Sequence, residues 1–324
     1  MNIEKLRELS EEILSVVGTY FVGERTLLQK VLAAALANGH ILFEDYPGLG
    51  KTLLAKSFAK VTGCTWGRIQ FTPDLMPADI VGTKIWKAKT SDFTLEKGPI
   101  FTNILLADEI NRSPPKVQSA LLEAMEERQV TIEGETHKLD KPFFVLATQN
   151  PIELEGTYPL PEAQMDRFMV KLSTGYVSTL EKETEILKRR IAWQMDDPVD
   201  MIKPVASNEI FKEMQDTVET GIYVDDQILT YISNIVRNTR THPLVDIGSS
   251  PRGGLSLLKV ARAHAAILGR DFVTPDDVKM YTVDVLSHRL ILKMEYAVGE
   301  QVSVPKIINE IVEKIEPPKE IARR

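Results

Sequence analysis

The chain reads as an α/β fold, with a parallel five-stranded sheet carrying helices on both faces, followed by an all-helical domain. Three observations predict this. Short apolar runs at Ile41-Leu42-Phe43, Ile104-Leu105-Leu106-Ala107 and Phe143-Phe144-Val145-Leu146-Ala147 alternate with helix-spaced apolar stripes, the pattern of strands buried on both faces of a parallel sheet. The first run ends in a tight turn, Pro47-Gly48-Leu49-Gly50, and Lys51-Thr52 then opens an amphipathic helix. From about Ser178 onward only helical stripes remain. The boundary is placed there, with an α/β domain over 1–178 and a helical domain over 179–324.

The elements follow in order. Leu6, Leu9, Ile13, Val16 and Val17 space a first helix, and Leu27, Leu28, Val31, Leu32 and Ala35 a second, joined by a turn at Phe21–Glu24. The strand at 41–43, the glycine turn and its helix come next. Arg68–Phe71 predicts a second strand and Asp74–Ile80 a short helix broken at Gly82. Lys84–Trp86 and Phe93–Leu95 predict a hairpin with a polar tip. The run ending at Asp108-Glu109 is a third strand. Ser113 is expected to cap the next helix, with Pro114 at its first helical position and Val117, Ala120, Leu121, Ala124 and Met125 as its buried face. A second hairpin over Gln129–Leu139 turns at Gly134. Strands at 143–148 and Phe168–Leu172 complete five. Four later helices carry stripes through Ile210–Val218, Ile228–Val236, Leu255–Ala265 and Val278–Val285. The last opens on a capping box at Thr274-Pro275-Asp276-Asp277. The polar tail past Lys314 is expected to fray.

Composition narrows the setting. The 324 residues suffice for two domains and a large core. No apolar run approaches a membrane span, and the first residues lack a signal peptide's apolar segment. The single cysteine, Cys64, fits a reducing cytoplasm and a buried, unreactive position. A net charge of −7 disfavours nucleic acid as the main partner. His40, His137, His242, His264 and His288 show no metal-ligand spacing, so no structural metal is expected.

The chemistry concentrates at strand ends. A glycine turn between a buried strand and a helix places backbone N–H groups and the positive helix terminus around phosphate oxygens. Lys51 can reach the outer phosphates, and the Thr52 hydroxyl can ligate Mg²⁺. The strict phosphate-loop pattern has glycine where this chain has Asp45, a residue that tolerates left-handed backbone. Asp108 can hold Mg²⁺ directly or through water, and Glu109 can orient an attacking water. Asn150 can bond the γ-phosphate or that water, although Asn before Pro151 also suits a turn. Val22 and Gly23 could lie against an adenine ring or simply pack.

In combination these stretches resemble the MoxR family of AAA+ ATPases, a P-loop family of the helix-2-insert clade. The resemblance rests on Asp45–Thr52, Leu105–Arg112, Gln118–Met125, Ala147–Pro151 and Glu162–Phe168, and it spans residues 10–315. It implies ATP and Mg²⁺ as cofactors. Pro47, Gly48, Leu49, Gly50, Lys51, Thr52 and Leu53 would form Walker A, and Asp108 and Glu109 Walker B. Asn150 would be sensor 1, and Arg252, in Ser-Pro-Arg-Gly, sensor 2 on a lid that closes over the nucleotide. Arg167 would be an arginine finger offered to a neighbour, although an ion pair would also account for it. The family implies a homo-oligomeric ring, commonly a hexamer, that remodels or matures proteins. It also implies a separate partner carrying a von Willebrand factor A domain, with membrane association only through a partner. The alternatives are a nucleic-acid motor, suggested by Lys84, Lys87 and Lys89 around Trp86, or a metal-chelatase motor subunit.

Overall fold

The structure, a computed structural model, describes residues 1–89, 91–151, 156–297 and 303–318. Helices α1 (Ile3–Tyr20) and α2 (Arg25–Leu36) lead into strand β1 (Ile41–Glu44), helix α3 (Lys51–Val61) and strand β2 (Trp66–Gln70). Helix α4 (Pro77–Val81) and the hairpin β3 (Gly82–Lys87) and β4 (Asp92–Lys97) precede β5 (Ile104–Asp108) and α5 (Pro115–Glu127). A second hairpin, β6 (Gln129–Ile132) and β7 (Glu135–Lys138), is followed by β8 (Phe144–Gln149), α6 (Glu162–Met165) and β9 (Val170–Leu172). The sheet order is β2-β5-β8-β1-β9, and every pairing is parallel.

Alternation along the strands divides the core. Ile104 and Leu106 of β5 point to one face, with α1, α2 and α3. Leu105 and Ala107 point to the other, with α5. The C-terminal helices are α7 (Leu180–Trp193), α8 (Asn208–Gly221), α9 (Asp226–Thr241) and α10 (Pro251–Ile267). They continue with α11 (Pro275–Lys279), α12 (Thr282–Leu286), α13 (Met294–Ala297) and α14 (Val304–Lys314). Phe211, Ile232, Leu257 and Ile308 from this region join the same cluster as α1 and α2, so one core runs from the sheet into the helical part.

Several expectations need correction. Ser113 does not cap α5. Pro114 holds that position with Pro115 as the first helical residue, while the Ser113 hydroxyl donates back to the Ile110 carbonyl at 3.4 Å. The single helix read through Val278–Val285 is two, divided at Tyr281, whose ring is fully buried. The helical part also contains a strand pair, β10 (Val245–Ile247) with β11 (Ile291–Leu292). The hairpin tip at Thr90 and the tail over 319–324 lie outside the described residues. Cys64 is free and buried, and burial pushes its thiol pKa up, which makes it a poor nucleophile.

His40, just before β1, ties two elements together. Its Nδ1 accepts from the Val145 N–H at 3.0 Å, and its Nε2 stands 3.1 Å from the Met125 carbonyl, the arrangement of a neutral ring. Burial, with Arg128 adding repulsion, holds its pKa well below the ordinary value. Burial and Arg289 do the same to His288. The unfolded chain therefore binds protons below about pH 6.5 that the folded chain refuses. Stability is full above that pH and falls as pH drops, by up to about 1.4 kcal/mol per pH unit for each histidine. The expected result is a thermal midpoint that is flat from pH 8 to 7 and declines toward pH 5. A midpoint unchanged down to pH 5 would contradict the neutral assignment.

Candidate active site

The carboxyl ends of β1, β5 and β8 open onto one cleft of about 590 Å³, within the range of small-molecule sites. Its floor is the turn after β1. Gly48 and Gly50 have φ of +82° and +76°, a conformation that side chains resist. A Cβ on Gly48 would meet nothing within 4 Å, so backbone conformation, not space, calls for glycine there. Gly50 is the N-cap of α3, so the first N–H groups of that helix face the cleft without an intrahelical partner.

Asp45 differs from its expected role. It is not among the positive-φ residues, and its carboxylate is almost wholly buried. It accepts from the Ser173 hydroxyl (2.6 Å), the Thr174 N–H and hydroxyl (2.8 Å each) and the Gly175 N–H (3.4 Å). The carboxylate thus anchors the phosphate loop to the segment that follows β9. Lys51 Nζ lies 4.0 Å from Asp45 and donates to the Tyr46 carbonyl at 2.8 Å. Burial lowers the Lys51 pKa, opposed by Asp45, Asp108 and Glu109.

The acid pair at the end of β5 is tightly held. The Thr148 hydroxyl donates to Asp108 Oδ1 at 2.7 Å and accepts from the Glu109 N–H at 2.8 Å. Arg68 donates to Asp108 Oδ2 at 2.6 Å. The Gln70 amide donates to Glu109 Oε2 at 2.8 Å, and Arg112 stands 2.9 Å from the same oxygen. Glu109 itself has φ +58° and ψ +50°. A non-glycine residue there costs on the order of 1–2 kcal/mol, and the surrounding bonds hold it. Sequence reasoning missed Arg68, Gln70 and Thr148. The signal was present in Arg68-Ile69-Gln70, whose alternation puts two polar side chains on one side of an edge strand.

Pro47 through Leu53, Asp108, Glu109 and Asn150 all line this cleft. Val22 and Gly23 are not among its lining residues. Their turn backs the loop through Phe21, whose ring would lie 3.3 Å from a Cβ on Gly50 and 2.4 Å from one on Gly23. Arg167 and Arg252 also lie elsewhere, and they converge on one carboxylate. Glu126 Oε2 is 3.0 Å from Arg167 Nη1, and Glu126 Oε1 accepts from Arg252 Nη2 at 2.8 Å. Asp166 stands 3.7 Å from Arg252 and accepts from Arg289 at 2.7 Å. The two arginines form one cluster at the junction of α5, α6 and α10.

Loop, acid pair and helical C-terminal region together define a P-loop ATPase architecture of the AAA+ class. The chain matches the family described as "ATPase family associated with various cellular activities (AAA)" over residues 40–170 and the "AAA lid domain" over 237–311. It is 46% identical to the YeaC protein of Bacillus subtilis over 315 residues, covering 97% of each chain. It is 41% identical to "Chaperone MoxR1" of Mycobacterium tuberculosis, covering 94% of this chain and 81% of that one. A solved structure from Cytophaga hutchinsonii, 40% identical, superposes with a TM-score of 0.90 and covers 98% of this chain and 97% of its own. The chain belongs to the MoxR family of AAA+ ATPases.

Proposed function

We propose that this protein hydrolyses ATP with Mg²⁺ at the boundaries between copies of itself in a ring, commonly of six, and uses turnover to remodel or mature partner proteins in the cytoplasm. One observation carries the reading. The loop, Asp108 and Glu109 share one cleft, while the arginine pair Arg167 and Arg252 lies outside it. A cleft complete for binding but lacking these cations is the expected form of a site shared between subunits.

The residues fit a nucleotide with its metal. In this reading the α3 N-terminus and Lys51 bind the β- and γ-phosphates. Thr52 and Asp108 hold Mg²⁺, with water between metal and Asp108 where geometry requires. A bound metal would neutralise phosphate charge at this end of the cleft, where Arg68 holds Asp108 Oδ2. Glu109 orients the attacking water, and Asn150 positions that water or the γ-phosphate. Arg252, which its motif places on a lid that closes over the nucleotide, shares Glu126 with Arg167, and in this reading the pair faces a neighbour's nucleotide.

A separate chain with a von Willebrand factor A domain would supply client contact. The nucleic-acid alternative loses support at the hairpins. Lys84 pairs with Glu135 at 2.6 Å, and the Glu133 carboxylate faces Thr83 and the Lys84 N–H, so acid offsets one of the three lysines around Trp86. Salt-dependent binding to a DNA duplex would restore it. Among the described residues, no helix is long and apolar enough to cross a membrane.

Lys51→Ala tests the cleft. Losing one charge-assisted contact to phosphate weakens ATP binding about 10- to 100-fold. Titration calorimetry reads the loss directly, and unchanged affinity would refute the assignment of the loop.

A further inference from the structure

Helix α7 is fastened by one side only. Lys182 pairs with Glu24, Arg189 donates to the Gly18 and Thr19 carbonyls at 2.9 and 2.6 Å, and Trp193 stacks on Tyr20 at 5.8 Å. At about 100° per residue these three side chains share one side, and Leu180, Leu187 and Ile191 fall opposite them. Those three are 77%, 66% and 75% exposed, and no residue of the helix is buried. An aliphatic row on the outward side of a helix marks a contact surface more than scattered exposure does.

A complementary surface lies on the helical region. A groove of about 540 Å³ between α9 and α10 is lined by Leu229, Ile232, Val236, Leu255 and Leu258, with Arg237 at its rim.

We propose that α7 of one copy lies in the α9–α10 groove of the next copy. This rests on the shared-site reading above. The dimensions agree: from Leu180 to Ile191, and from Leu229 to Arg240 along the α9 wall, the helices rise by about 16 Å each. The charges agree at the start of the row. Glu181 and Glu183 flank Leu180, while Lys188 and Arg190 flank the row's far end, and the described lining of the groove carries Arg237 and Arg240 and no acidic residue. The placement agrees as well. The chain leaves α7 toward Asp196 and Asp197, which line the nucleotide cleft, and Pro251 and Leu255 of the groove flank Arg252 in the first turns of α10. One head-to-tail contact therefore brings the cleft of one copy and the arginine pair of the next to the same boundary. A contact between two different patches propagates as a ring or a filament.

The test uses the full chain with ATP and Mg²⁺ and two variants, Leu187→Asp on the row and Leu255→Asp in the groove. Sedimentation follows assembly, and calorimetry follows nucleotide binding. Each variant is expected to raise the concentration needed for assembly by about tenfold or more, the scale of one lost buried leucine. ATP binding should stay intact in both. Mixing the two variants restores pairs, because the intact α7 of Leu255→Asp meets the intact groove of Leu187→Asp. If wild type assembles and both variants assemble equally well, the contact is overturned while the shared-site reading stands. If the variants fail singly and mixing restores nothing, the pairing of these two surfaces is overturned. Wild type that stays monomeric with ATP overturns the shared-site reading and this contact together.

Discussion

Glu109→Gln is expected to bind ATP and Mg²⁺ normally and to turn over about 10²- to 10⁴-fold more slowly, the usual contribution of a positioned general base. The amide keeps the shape of the side chain and can keep one oxygen turned toward the Gln70 amide, which now lies 2.8 Å from Glu109 Oε2. It loses the negative charge that draws a proton from water. The left-handed backbone at φ +58° is preserved, as is the bond from the Glu109 N–H to Thr148. Fold and binding should therefore be spared, and only the chemical step lost. Phosphate release in steady state, beside calorimetric binding, separates the two. Normal turnover would remove Glu109 from the reaction.

Arg167→Ala is expected to fall about a thousandfold or more in turnover, the scale of an arginine finger, with ATP affinity nearly unchanged. Arg167 makes no contribution to its own cleft, since its guanidinium bonds the Leu122 carbonyl at 2.9 Å and pairs with Glu126. That partly exposed pair contributes little stability, so the variant should fold. The decisive experiment mixes Arg167→Ala with Lys51→Ala. The first keeps a working cleft and the second a working arginine, so some boundaries in a mixed assembly hold both. Recovered hydrolysis is the expected result. Assembled mixtures no more active than either variant alone would return Arg167 to a plain ion pair with Glu126.

The parts legible in sequence were those whose chemistry is local. The loop, its helix and the acid pair lie on contiguous residues, and the apolar runs of β5 and β8 identify buried strands without knowledge of their partners. Contacts distant in the chain were not legible. Asp45 looked like a substitute for glycine because the donors to its carboxylate come from residues 173–175. Arg167 and Arg252 looked like unrelated motif residues, and only the fold brings both to Glu126. Strand β11 has two residues, too few to show alternation, and the break at Tyr281 interrupts a stripe whose spacing reads as continuous.

The Asp45 carboxylate joins the phosphate loop to the strip of chain that leads into α7, so neither can shift without altering the other's hydrogen bonds. Coupling between two binding events is reciprocal: any factor by which occupancy of the loop changes the grip of α7 on its surroundings is the factor by which that grip changes affinity at the loop. If a neighbouring copy holds α7 as proposed above, its grip would therefore bear on affinity at the loop without any residue of that copy entering the cleft.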